Sequence, residues 1–105
     1  MGSVGTAEIG RTGLEVARLG LGGAALGGLY TDVSEDVARE TIRRAYQLGA
    51  RYFDTAPLYG HGKSESYFGS GLARLPRDRF VISTKVGRVL DPLDSARDGG
   101  GFVNT

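Results

Sequence analysis

The 105-residue sequence contains no cysteine, no tryptophan and only three prolines. Without thiols there is no disulfide framework, no cysteine metal cage and no thiolate nucleophile, so packing and hydrogen bonds must hold the chain together. Long apolar runs are missing as well: nothing approaches the roughly 18 residues that a membrane span needs. Charge of one sign is scarce, since 13 basic residues stand against 12 acidic ones for a net charge of +1, and no block of Lys or Arg offers a nucleic-acid footprint. Met1 to Ala7 lack the basic start and apolar core of a signal peptide. No nucleic acid and no membrane partner is expected, the cytoplasm is the expected compartment, and nothing in the sequence bears on oligomeric state.

Glycine is abundant instead, with 18 residues placed at the ends of elements and not in a repeat. Glu8 to Leu19 reads as a β-hairpin about a Thr12-Gly13 turn. Leu19-Gly20-Leu21-Gly22-Gly23-Ala24-Ala25 then runs a short strand into a glycine-rich turn, where backbone can approach a ligand closely. Asp32 or Ser34 can cap a helix whose first turn holds Glu35 and Asp36. Val37, Thr41, Ile42, Ala45, Tyr46 and Leu48 mark its inner face, with Gly49 closing it.

The centre of the chain is Arg51-Tyr52-Phe53-Asp54, a short strand tipped by a carboxylate, followed by the loop Thr55-Ala56-Pro57-Leu58-Tyr59-Gly60-His61-Gly62. Ser64 can cap a second helix reaching Leu75, before Pro76 stops it. Interior Gly69 and Gly71 each cost about 1 kcal/mol relative to Ala and point to close packing. Phe80 to Thr84 reads as another buried strand, again followed by a charge, Lys85. Hairpin, strand, helix, strand, helix, strand is the order of βαβ units on a parallel sheet. Three such strands do not close, and a barrel of this type takes around 250 residues. Residues 1–105 are therefore expected to be one incomplete α/β domain, with 88–105 a polar loop leading onward.

Three functional readings compete at the residue level. Gly60-His61-Gly62-Lys63-Ser64 lies between strand and helix as a phosphate loop does, but Pro57 occupies the first glycine position and Lys85 replaces the Mg²⁺-binding acid of the next strand. Gly20, Gly22 and Ala25 fit dinucleotide-fold spacing, yet the helix that should open there starts only near Ser34. The third reading joins Asp54, Tyr59 and Lys85. Adjacent parallel strands lie about 4.8 Å apart, so Lys85 can reach Asp54, and a cation beside the Tyr59 phenol would make it a usable proton donor or acceptor. The alternative is structural: Asp54 caps a turn, Tyr59 packs on its loop and Lys85 is solvated.

Taken together, Tyr52 to Gly60, Ser64-Glu65 and Ser83-Thr84-Lys85-Val86-Gly87, with Leu19 to Gly23 before them, resemble the aldo-keto reductases. Ala24 to Tyr30, Pro76 to Leu90 and Gly101 to Asn104 are most similar to the dehydrogenases of D-threo-aldoses such as L-fucose and to the pyridoxal 4-dehydrogenases. The resemblance implies the N-terminal portion of a (β/α)8 TIM barrel with a β-hairpin across its bottom, truncated after about the third barrel strand. It also implies NAD or NADP at the barrel mouth and a small carbonyl or sugar substrate. The family's tetrad maps its Tyr onto Tyr59 as proton donor or acceptor, its Lys onto Lys85 and its Asp onto Asp54; its His would follow the next strand, and His61 does not match it. Gly22, Gly23, Ala24, Asp54 and Tyr59 become cofactor contacts, and Tyr30, Leu58 and His61 substrate contacts. Alone, the 105 residues are expected to be inactive; the alternatives are a noncatalytic truncated or binding form of the fold, and a nucleotide-binding protein using Gly62-Lys63-Ser64 as a phosphate loop.

Overall fold

The computed structural model describes residues 5–29, 31–90 and 102–104. Residues outside these include Tyr30, the proposed substrate contact. The organising element is a three-stranded parallel sheet in the order β3-β4-β5, comprising Gly20–Gly22, Tyr52–Asp54 and Val81–Ser83. The strands are in register, so that Gly22, Asp54 and Ser83 stand side by side at one end. Helix α1, Glu35–Gln47, links β3 to β4, and α2, Lys63–Leu72, links β4 to β5. Earlier in the chain, β1 (Thr6–Glu8) and β2 (Glu15–Ala17) form the expected antiparallel hairpin. Its turn is tied by the Thr12 hydroxyl, which donates to the Ile9 carbonyl at 2.6 Å and accepts from Leu14 N–H at 3.1 Å.

Helix α1 begins as the sequence suggests. Ser34 is its cap, accepting a 3.2 Å hydrogen bond from Val37 N–H, with Glu35 and Asp36 in the first turn where the helix dipole favours acid. It ends in a Schellman motif: Gly49 N–H donates to Tyr46 O and Ala50 N–H to Ala45 O. Its inner face differs from the expected one, because Ala38 and Ile42 are buried while Val37 is 57% exposed. Ala45 and Tyr46 complete the packed stripe. Positions 38, 42, 45 and 46 follow helical spacing more closely than a set starting at Val37.

Helix α2 departs further from expectation. Gly62, not Ser64, precedes its first turn. Ser64 is instead fully buried, and its hydroxyl shares a 2.6 Å hydrogen bond with that of Thr55. The helix stops at Leu72 and not at Leu75, because the chain tightens there into a Leu75 N–H to Leu72 O bond. Of its two interior glycines only Gly71 is at a close approach: a Cβ there would lie 2.9 Å from Ile42 Cδ1, whereas one at Gly69 would meet nothing.

Phe53 and Phe68 are fully buried, and Phe53 packs against the Phe68 and Phe80 rings at centroid distances of 5.8 and 6.0 Å. Ala38, Ile42 and Leu72 join the same core between sheet and helices. Beyond β5 the expected polar loop is partly structured. β6 (Arg88–Leu90) and β7 (Phe102–Asn104) pair antiparallel. Among the described residues no helix is long and apolar enough to cross a membrane.

Candidate active site

Side chains alternate across a strand. In β4 the alternation sends Phe53 into the core beneath the helices and places Tyr52 and Asp54 on the opposite, half-exposed face. The register of β5 sets Ser83 beside Asp54 on that same face. Two residues further on, Lys85 turns its ammonium back onto the carboxylate, 3.1 Å from Asp54 Oδ2 and 3.3 Å from Oδ1, and donates also to the Thr55 carbonyl at 3.3 Å. The same nitrogen lies 5.3 Å from the centre of the Tyr59 ring. Sequence spacing suggested these three residues as a group, and the structure brings them together.

The loop carrying Tyr59 is fixed from two sides. Thr55 and Ser64 pin its ends through their buried hydroxyls, while the 3-10 turn Ala25–Gly27 after β3 lies against its tip. Gly27 and Gly60 meet backbone to backbone, so a Cβ on either would collide with the other loop's main chain. Within the loop, the amides of Tyr59, His61, Gly62, Lys63 and Ser64 donate to the carbonyls of Ala56, Leu58, Pro57, Gly60 and Tyr59. That occupies the amides of Gly62, Lys63 and Ser64, the three a phosphate loop would turn toward its ligand, and Ser64 is buried against Thr55. The phosphate-loop reading of Gly62-Lys63-Ser64 therefore does not describe this turn. The dinucleotide-fold reading also gives way, because the 3-10 turn follows the glycines where a long helix would have to open.

The charges are set by these contacts. Asp54 has its pKa lowered, first by the hydroxyl of Ser83, which donates to Oδ1 at 2.6 Å; partial burial opposes this and Lys85 adds to it. Lys85 has its pKa raised, chiefly by the Asp54 carboxylate, with burial opposing and the Tyr59 phenol contributing less. Both residues are thus held ionised around neutrality. Ser83 was not singled out from the sequence. Its signal lay in the period-two alternation combined with parallel register, which puts it level with Asp54.

A cleft of about 290 Å³ opens directly beside Lys85, walled by Ala56, Pro57, Leu58, Tyr59, Lys85 and Val86. Leu58 is one of its walls; His61, in a left-handed conformation with φ of 54°, is not among them. The glycine turn divides in two. Gly22 is exposed and has open space where a Cβ would stand, level with Asp54. Gly23 is buried against Ser64 and Phe68 of α2, and its N–H donates to Asp54 O at 2.8 Å, so its close approach serves the fold. Ala24, half-buried, starts the 3-10 turn.

Residues 18–101 match the model of the Aldo/keto reductase family. The chain is 46% identical over 88 residues to a D-threo-aldose 1-dehydrogenase of a Pseudomonas species, covering 84% of this chain and 27% of that protein. It is 51% identical over 82 residues to a pyridoxal 4-dehydrogenase of Microbacterium luteolum, covering 78% of this chain and 24% of that protein. Among solved structures, an aldo-keto reductase of Bacillus halodurans in its holo form superposes with a TM-score of 0.75 at 29% identity, over 96% of this chain and 30% of the other. The chain thus spans 24–30% of the length of these relatives. With the Asp54, Tyr59 and Lys85 constellation standing at the carboxyl edge of two adjacent parallel strands, the chain belongs to the aldo/keto reductase family and forms the N-terminal portion of its (β/α)8 barrel.

Proposed function

We propose that the complete protein is an NAD- or NADP-dependent oxidoreductase acting on a carbonyl, hemiacetal or alcohol carbon of a small substrate. The observation that carries this reading is the Lys85 ammonium, held between the Asp54 carboxylate and the Tyr59 ring at the edge of a cleft large enough for part of a small substrate. When bound, the nicotinamide supplies the hydride donor or acceptor. This chain's own residues handle the proton and the position. The Tyr59 hydroxyl gives a proton to the carbonyl oxygen in reduction and takes it from the hydroxyl in oxidation. Lys85 supplies the positive charge that favours the ionised phenol, and Asp54 keeps Lys85 in place.

The site face fits an extended cofactor. Exposed Gly22 leaves open space level with Asp54, and Ala24 and Tyr59 flank it on the two loops that meet at Gly27 and Gly60. The cofactor contacts we propose are Gly22, Ala24, Asp54 and Tyr59, while Gly23 is closed off by α2. For the substrate, Leu58 lines the cleft. The likeness to the D-threo-aldose and pyridoxal dehydrogenases supports a sugar such as L-fucose, or pyridoxal.

Tyr59→Phe in the complete protein is the test. It removes one oxygen and keeps the ring, so kcat should fall about 10²- to 10⁴-fold while NAD(P)H affinity, followed by fluorescence titration, stays within about 2-fold. Near-normal kcat, or loss of cofactor affinity in proportion to rate, would make Tyr59 a binding residue and remove its acid–base role; no turnover by the complete wild-type protein would leave the noncatalytic form of the fold as the better account.

A further inference from the structure

Asp54 receives a second contact that the proposed proton chemistry does not call upon. The Ser83 hydroxyl lies 2.6 Å from Asp54 Oδ1, and the Tyr52 hydroxyl lies 3.0 Å from Ser83 Oγ. The direction of both bonds can be deduced. An ionised carboxylate only accepts, and serine has a single proton to give. Ser83 therefore donates to Asp54, and Tyr52 must donate to Ser83. The result is a one-way chain from Tyr52 O–H to Ser83 O–H to Asp54 Oδ1, meeting the Lys85 ammonium, whose shorter contact is to Oδ2.

Geometry gives this chain its use. The Asp54–Lys85 pair is only partly shielded, with 40% and 50% of the two side chains exposed. An exposed ion pair is weakly oriented, because two flexible side chains must give up rotamer freedom to hold it and water competes for both ends. Asp54 can turn about its side-chain torsions, and nothing in the ion pair alone stops it. A 2.6 Å hydrogen bond from a neighbouring strand fixes one oxygen and so aims the other at Lys85. Because β4 and β5 are in register at Asp54 and Ser83, the donor is placed by backbone pairing and not by a loop. Tyr52, two residues before Asp54 on the same face, in turn fixes the Ser83 rotor.

We propose that Ser83, held by Tyr52, is a positioning residue for the reaction. It locks the Asp54 carboxylate in the orientation that keeps the Lys85 ammonium beside Tyr59. The inference rests on the catalytic reading of Asp54, Tyr59 and Lys85 and adds to it a component on the sheet itself. Ser83 is not among the walls of the cleft, and its hydroxyl reaches the Lys85 ammonium through the Asp54 carboxylate. The hydroxyl is therefore what counts, and its removal should matter only while the Asp54 carboxylate is present.

The experiment is a double-mutant cycle in the complete protein, read as kcat and as cofactor Kd by fluorescence titration. Ser83→Ala should lower kcat about 5- to 10-fold with cofactor Kd within about 2-fold. Ser83→Thr, which keeps the hydroxyl, should restore most of the rate, a rescue that a packing role would not give to a larger side chain. In an Asp54→Ala background, Ser83→Ala should cost less than about 2-fold more, since the group it orients is gone. Tyr52→Phe should act in the same direction and more weakly, and it decides the matter if Ser83→Ala does not fold. Full additivity with Asp54→Ala, or kcat unchanged in both Ser83→Ala and Tyr52→Phe, overturns the proposal. If instead Tyr59→Phe and Asp54→Ala themselves leave kcat unchanged, the catalytic reading is what fails.

Discussion

The two faces of the β3-β4-β5 sheet are built from neighbouring residues and do opposite work. On one, Phe53 is fully buried against Phe68 and Phe80, with Leu21 packed beside it. On the other, Tyr52, Asp54 and Ser83 form a polar chain that ends on Lys85. A single step along β4 separates the two. The apolar face is dry and non-directional, so it supplies burial energy and tolerates small shifts. The polar face depends on distances and angles, so its energy is in orientation. The sheet thus uses its core side to hold still the strand ends that present the site.

If this division is right, substitutions on the core face should change stability with little effect on intrinsic rate, and those on the site face the reverse. The largest expected effect on the core side is Phe53→Ala in the complete protein, which should lose about 3–5 kcal/mol of stability by removing the ring at the centre of the core. Thermal or denaturant unfolding measures the loss; for the fraction that stays folded, kcat should be close to normal. A large fall in kcat per folded molecule would show that the two faces are not separable.

Next comes Lys85→Met on the site face. It should reduce kcat about 10²-fold and move the melting temperature little, because the Lys85 ammonium is half exposed. A melting temperature lowered as far as that of Phe53→Ala would remove the distinction. Asp54→Asn should have a smaller effect, roughly 10-fold in kcat, and it carries a pH signature. Asp54 is the chief cause of the raised Lys85 pKa. Removing its charge lets the lysine fall back toward its ordinary value, so the ammonium is lost at lower pH. The alkaline limb of the kcat–pH profile should accordingly shift downward, and an upward shift would contradict the pairing. The sign for stability is separate: the pair contributes while Asp54 is ionised and Lys85 protonated, and that contribution is lost as pH falls through the lowered Asp54 pKa or rises through the raised Lys85 pKa.

The smallest effect tests an exposed position at the start of α1. Ser34→Ala deletes the cap of α1 and should cost about 1 kcal/mol in unfolding free energy, with kcat unchanged. A change in kcat there would mean that α1 transmits to the site.

Much of this was legible in the residues themselves. The hairpin, the strand–helix alternation and the Ser34 cap follow from local patterns: turn chemistry, hydrophobic period and a hydroxyl before an acidic first turn. Asp54, Tyr59 and Lys85 could be grouped because strand ends in a parallel sheet collect at one edge, a rule that depends only on order along the chain. The family resemblance sharpened that grouping into roles. Where local rules competed, the reading failed. Ser64 has the residue type of a cap, but burial beside Thr55 gave its hydroxyl a better-shielded partner. Gly62-Lys63-Ser64 has the letters of a phosphate loop, but the amides of that turn are spent on its own carbonyls.

The sequence by itself therefore determined the hairpin, the three parallel strands and the two helices, their order, and which ionisable residues tip the strands, since these depend on contacts a few residues apart. Only the tertiary structure decided what depends on register and approach between distant segments. Gly22 faces open space while Gly23 is filled by α2. Gly27 and Gly60 lock two loops together behind Tyr59. Ser83 stands level with Asp54 across a strand boundary 29 residues away. No local propensity encodes such pairings. They arise because the packing of Phe53 against Phe68 and Phe80 fixes the strand relative to the helix, and that placement carries the polar face with it.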